Sequence, residues 1–116
     1  MSRYGEIHII DDEDFYLDEA KLSLEDIGYK GKAYYYKTAE DFLRAEADIT
    51  CPAVLVVDYD LGPHTVLEAE LLSQIKNNNV SKKVLMSILD LRKRNIKGFD
   101  LICEKQSANW ELVVTI

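Results

Sequence analysis

The sequence predicts a doubly wound α/β domain built on one five-stranded parallel sheet. Three observations carry this expectation. Short apolar or β-rich runs alternate with stretches of helical period along the whole chain, the pattern of strands joined by helical crossovers. Ala53 to Val57 is a continuous valine- and leucine-rich run, the mark of a strand covered on both faces, as parallel strands are. Several runs end abruptly in a polar or charged residue, which is how a buried strand reaches the edge of its sheet.

Taken in order, Glu6 to Ile10 reads as the first strand and stops at Asp11-Asp12. Asp14 to Ile27 carries Ala20, Leu24 and Ile27 at helical spacing and ends at Gly28, a natural C-terminal breaker. Lys32 to Tyr36, rich in tyrosine, is the second strand, and Thr38 is placed to cap a helix running toward Ala47. Ala53 to Val57 is the third strand, ending in Asp58. Val66 to Lys76 sets Leu67, Leu71, Leu72 and Ile75 on one helical stripe. The Asn77-Asn78-Asn79 run suits a turn, and Lys83 to Ile88 is the fourth strand, with Ser87 near its end. A weakly helical stretch, Leu89 to Ile96, precedes Gly98 and a fifth strand, Asp100 to Glu104, followed by Lys105. Ser107 is placed to cap a last short helix through Trp110 and Val113.

A chain of 116 residues allows one domain at about 100–200 residues per domain, with no room for a fused effector domain. Hydrophobic residues make up 47% of it, enough for a core without disulfides or structural metal. The net charge of −7 repels phosphate backbones and anionic lipid, so nucleic acid and membranes are not expected as direct partners. The five residues from Ala53 to Val57 fall far short of the ~20 a membrane-spanning helix needs, and no apolar leader opens the chain, which points to a cytoplasmic location. Cys51 and Cys103 fit no C-x-x-C pattern and read as small buried hydrophobes. His8 and His64 are not paired at metal-ligand spacing, and the basic run Arg92, Lys93, Arg94 and Lys97 reads as a solvated helix face.

In a doubly wound sheet ligands bind beyond the carboxyl ends of the strands, near the point where strand order reverses. Asp11, Asp12, Asp58, Ser87 and Lys105 all fall at that edge. Gathered carboxylates repel one another unless a hard divalent cation or an ammonium group offsets their charge, and magnesium, which takes oxygen ligands and keeps positions for water and phosphate, fits that need. Such a site suits phosphoryl transfer, with a carboxylate attacking phosphorus while cations neutralise the oxygens in flight. Taken alone, an Asp-Asp pair is more often a helix cap or turn former; the combination is what points to chemistry.

These residues resemble the receiver domains of bacterial two-component response regulators, which have a flavodoxin-like fold. The resemblance rests on Ile9-Ile10-Asp11-Asp12-Glu13, Val56-Val57-Asp58-Tyr59-Asp60, Met86-Ser87 and Glu104-Lys105 in that order, with Gly98-Phe99-Asp100 introducing the last strand. It implies that Asp58 accepts a phosphoryl group, and that Asp11, Asp12, Asp58 and the Asp60 backbone carbonyl hold Mg2+, with Mn2+ as a possible substitute. It implies that Ser87 binds the phosphoryl group and Lys105 pairs with it. The implied partners are a sensor histidine kinase or phosphotransfer protein and a downstream protein that reads the signal; the chain is then a phosphoacceptor, not an enzyme.

Three departures from the family pattern stand out. Gln106 takes the place of a proline that usually follows the lysine through a cis bond; the same bond to glutamine costs ~3–4 kcal/mol, so a trans bond or a strained loop is expected. Ile102 stands where an aromatic switch residue is common. The 18 steps from Ser87 to Lys105 (105 − 87) shorten helix four by roughly one turn. They keep open a degenerate receiver that docks partners without phosphorylation. An enzyme reading, a dehalogenase-like phosphohydrolase using Asp58-Tyr59-Asp60 as its D-x-D, is disfavoured by the 56 residues left after Asp60 (116 − 60) and leaves Asp11-Asp12 without purpose.

Overall fold

The apolar runs become strands and the helical stretches become crossovers in a computed structural model that describes residues 2–59, 68–91 and 96–116. The strands are β1 (Glu6–Ile10), β2 (Lys32–Tyr36), β3 (Ala53–Asp58), β4 (Val80–Ser87) and β5 (Leu101–Glu104). The helices are α1 (Asp14–Asp26), α2 (Ala39–Ala45), α3 (Glu68–Gln74) and α4 (Trp110–Val114). All strand pairs are parallel, in the order β2-β1-β3-β4-β5. The chain leaves β1 toward one edge and β3 toward the other, so the switch point lies between the ends of those two strands.

Alternation along the strands divides the core into two layers. Ile7, Ile9, Val54, Val56, Val84 and Met86 face Leu17, Ala20 and Leu24 of α1 and Val113 and Val114 of α4. Ile10, Leu55, Val57 and Leu85 face Ala39 and Phe42 of α2 and Leu71 of α3. Every residue of β3 is buried, as its run of apolar residues requires of the central strand.

Local chemistry sets the helix ends. Gly28, at φ 69°, turns the chain out of α1 in a left-handed conformation that a side chain would oppose. Thr38 caps α2 by accepting the Asp41 N–H at 3.1 Å. The last cap differs from expectation: Ser107 belongs to a 3-10 turn, Lys105–Ser107, and Asn109 caps α4 by accepting the Leu112 N–H at 3.1 Å. Asn109 sits three residues before that N–H, which is the reach an Asn side chain needs.

Strand limits also shift. β4 starts at Val80, not Lys83, because Asn77 accepts the Val80 N–H at 3.1 Å and a bulge beside Ala53 absorbs one extra residue. The asparagines do more than turn the chain: Asn77 donates its amide to the Glu46 and Ile49 carbonyls at 2.7 and 3.0 Å. β5 begins at Leu101: the Asp100 N–H donates to the Lys83 carbonyl of β4 at 2.7 Å, but the Lys83 N–H goes to the Asp100 carboxylate at 2.8 Å instead of to a backbone carbonyl. Of the stretch read as a shortened helix four, residues 88–91 and 96 are irregular and 92–95 lie outside the described residues, as do Asp60, His64, Val66 and Leu67. Leu91 is buried and anchors that irregular segment on the α2–α3 side. Cys51 and Cys103 are free thiols and only half-buried, which corrects the expectation that both are buried.

The two termini are joined. Arg3 and Thr115 form an antiparallel bridge, and the Arg3 guanidinium bonds both the Glu111 carboxylate and the Ile27 and Gly28 carbonyls at the end of α1. No helix among the described residues is long and apolar enough to cross a membrane.

Candidate functional site

β1 and β3 deliver their last residues to the switch point side by side, since Ile10 pairs with Val57. Asp11 and Asp12 follow Ile10, and Asp58 closes β3. Asp11 and Asp58 are buried and Asp12 is exposed; one oxygen from each of the three carboxylates lies within 4.8 Å of the others. Asp11 also accepts the Glu13 N–H at 3.0 Å, so the local turn role and the clustered role coexist in one side chain.

Lys105 reaches this cluster from the far end of the chain. Its amine donates to Asp11 Oδ2 at 2.6 Å and lies 3.1 Å from Asp58 Oδ1. The side chains of Lys105, Asp11 and Asp58 are 10%, 6% and 9% exposed, so this is a buried ion-pair network, where pairing is needed to offset desolvation. Burial pulls the Lys105 amine toward its neutral form, yet bonding and attraction from Asp11 and Asp58 together outweigh it and hold the pKa above the usual lysine value. An aromatic ring adds to this: the amine sits over Tyr16, 3.7 Å from the ring centroid.

Ser87 ends β4, one residue beyond Met86, the partner of Asp58 in the sheet. Its buried hydroxyl accepts the Leu89 N–H at 2.9 Å, which leaves the hydroxyl proton to donate elsewhere. All the predicted side chains except that of Asp60, which lies outside the described residues, are thus placed at one edge of the sheet.

Three carboxylates against one ammonium leave a formal charge of −2 (−3 + 1), the charge a divalent cation balances. The donors are oxygen only, the preference of a hard cation, and the 4.8 Å spread is close to the about 4.2 Å between opposite ligands of an octahedral ion with bonds of about 2.1 Å. The cluster fits such an ion.

Sequence reasoning missed one contributor. Tyr16 stands four residues before Ala20 and eight before Leu24, on the inward stripe of α1, and that period was the signal that could have found it. Gln106, where a trans bond or a strained loop was expected, follows Lys105 through a trans bond and donates its side-chain amide to the Ile88 carbonyl at 3.2 Å, tying the turn after β5 to the segment after β4.

Solved structures share this architecture from end to end. The FixJ-N crystal structure superposes with a TM-score of 0.71 at 21% identity, over 97% of this chain and 90% of that one. A CheY-like response regulator receiver domain from Methylobacillus flagellatus gives 0.70 at 23% identity, over 92% of this chain and 91% of that one. This chain has the receiver-domain fold. The BeF3-activated DrrB receiver domain is similar at a TM-score of 0.67 and 22% identity, covering 97% of this chain and 92% of that one. No protein-family model and no curated protein matches the sequence. The receiver fold therefore agrees with the sequence resemblance, and Asp11, Asp12, Asp58, Ser87 and Lys105 occupy the rim of its switch point.

Proposed function

We propose that the chain is a phosphoacceptor receiver of a two-component phosphorelay, with Asp58 taking a phosphoryl group from the phosphohistidine of a sensor kinase or phosphotransfer protein. The observation that carries this reading is the Lys105 amine bonded at once to Asp11 and Asp58 beside Asp12. An Asp58 oxygen attacks phosphorus, the P–N bond of the donor breaks, and its electron pair returns to the imidazole nitrogen, which takes a proton from solvent. Mg2+ held by Asp11, Asp12 and Asp58, or Mn2+ in its place, supplies charge neutralisation on the phosphoryl oxygens.

The chain's own residues do the rest. Lys105, already within reach of Asp58, exchanges that carboxylate for a phosphoryl oxygen, and the Ser87 hydroxyl donates to another. The product is an acyl phosphate carrying about −1.5 to −2 charges where one carboxylate charge stood, a change that a downstream protein can read. The chain is a signal carrier in this reading, not a turnover enzyme.

Exposure to acetyl phosphate with magnesium should add the mass of one phosphoryl group to the wild type and none to Asp58→Asn, and chelator should abolish the gain. Labelling that persists in Asp58→Asn removes the proposal. One observation favours a second reading, a receiver that docks without phosphorylation: Ile102, where an aromatic switch would stand, is 41% exposed on β5. Partner binding that is equal for wild type and Asp58→Asn, with no mass gain in either, would select it.

A further inference from the structure

The layer that carries α1 and α4 is unevenly covered. α4 has five residues and spans about 7.5 Å, whereas the six residues of β3 span about 20 Å. The upper part of that sheet face is left to side chains, and between them lies a cavity of about 310 Å3. Its floor includes Val56 and Met86, its walls Tyr16, Glu19 and Ser23 of α1 and Trp110 at the start of α4, and Lys105 stands at its upper end. The volume falls at the lower end of the about 300–1,000 Å3 typical of small-ligand sites.

The lining defines the chemistry of an occupant. The rings of Phe15, Tyr16 and Trp110 and the Met86 thioether offer stacking and dispersion contact to a flat ring. The Lys105 amine already covers the Tyr16 ring, 3.7 Å from its centroid, so a ligand's own ammonium must find its partner elsewhere in the lining. Among the described residues, Glu19 has no hydrogen-bond or ion-pair partner, whereas Lys105 is held by Asp11 and Asp58 and so offers no spare positive charge to an anion. Acidic groups outnumber basic ones around the cavity and over the chain, whose net charge is −7.

We propose that this cavity binds a small aromatic amine, its ring seated among Tyr16, Met86 and Trp110 and its ammonium group on Glu19. A neutral analogue keeps the ring contacts and loses the ion pair; a carboxylate analogue brings its charge against Glu19. The cavity opens onto the acceptor site, since Asp11, Asp58 and Lys105 also line it, but the amine needs neither metal nor phosphodonor, so its test stands whether or not Asp58 accepts a phosphoryl group.

Trp110 is the single tryptophan of the chain and lines the cavity, so its fluorescence reports occupancy directly. The wild-type protein in chelator is titrated with 2-phenylethylamine, 2-phenylethanol and 3-phenylpropionate. A saturable change with the amine is expected, roughly fivefold tighter than the alcohol, with no saturation for the carboxylate. Glu19→Gln, at an exposed position, should bring the amine down to the affinity of the alcohol, and Ser23→Leu should abolish the change by filling the lower end. An amine titration without saturation overturns the proposal, as does equal affinity for the carboxylate or an amine affinity untouched by Glu19→Gln.

Discussion

The amine of Lys105 donates to the Asp11 carboxylate across 2.6 Å, although 94 positions separate the two residues in the chain. The contact also brings the end of β5 onto the ends of β1 and β3, so the ion pair is both a fold closure and the centre of the site. Replacing Lys105 by Met leaves buried carboxylates without their cation, which should cost about 3 kcal/mol in chelator. Added magnesium should then recover stability by a larger margin than in the wild type. Thermal melts of both proteins across a magnesium series check this, and equal metal-dependent shifts would contradict it.

The helix caps give a contrast between neighbours. Asn109→Ala removes the acceptor of the Leu112 N–H and should destabilise the fold by about 1 kcal/mol, whereas Ser107→Ala should stay within about 0.5 kcal/mol. Thr38→Ala, which removes the cap of α2, should behave like the Asn109 change. Urea unfolding of the three variants separates them.

Arg3 binds Glu111 and the last carbonyls of α1 together. Arg3→Ala and Glu111→Ala should each lower the melting temperature, and the double variant should lose less than the two losses summed, because either change alone ends the shared pair. Additive losses would show that the pair contributes nothing beyond its separate residues.

The opposite layer holds His8, buried between the Tyr34 and Tyr36 rings and bonded to Glu6 and to the Tyr36 hydroxyl, each at 2.9 Å. Burial lowers its pKa against the opposing pull of Glu6. The folded form therefore resists a proton that the unfolded chain accepts below its ordinary 6.5, so the His8 contribution is present above that pH and is lost as pH falls through it. His8→Gln should flatten the fall in stability between neutral and mildly acidic pH. An unchanged slope would contradict it.

At the alkaline end, burial pushes Tyr29 and Tyr36 up to about 12 from an ordinary 10.0. The neutral ring is favoured in the fold, so this stability is full below pH 10 and is lost as pH rises toward 12. Absorbance titration of phenolate should show these two of the seven tyrosines ionising last, while the urea-unfolded chain titrates in a single wave near 10.

The alternation of periods sufficed for all five strands: β3, buried on both faces, writes its apolar character into consecutive residues, whereas the edge strands β2 and β5, with no buried residue, were legible from β-rich composition and their place in the alternation. β1 and β2 are found at the residues expected. Edges were harder to read where side chains compete with the ladder: the Asp100 carboxylate takes the Lys83 N–H of β4 at the start of β5, and a bulge at Ala53 lengthens β4 backwards. The site residues were legible because each ends a strand, so sequence order converts to spatial proximity once the sheet is parallel. What the sequence hid is contact between elements far apart in order. The seating of Lys105 over Tyr16, the Arg3 link to α1 and α4, and the cavity beside the short last helix depend on tertiary packing, to which local periodicity is blind.

The central claim is that Asp58 itself carries the phosphoryl group. Borohydride reduces an aspartyl phosphate to homoserine, so reduction after acetyl phosphate and magnesium, followed by peptide mass mapping, locates the modified residue. Homoserine at position 58, absent when chelator replaces magnesium, is the predicted result; homoserine at 11, 12 or elsewhere, or none in protein that stays folded with magnesium bound, would contradict it.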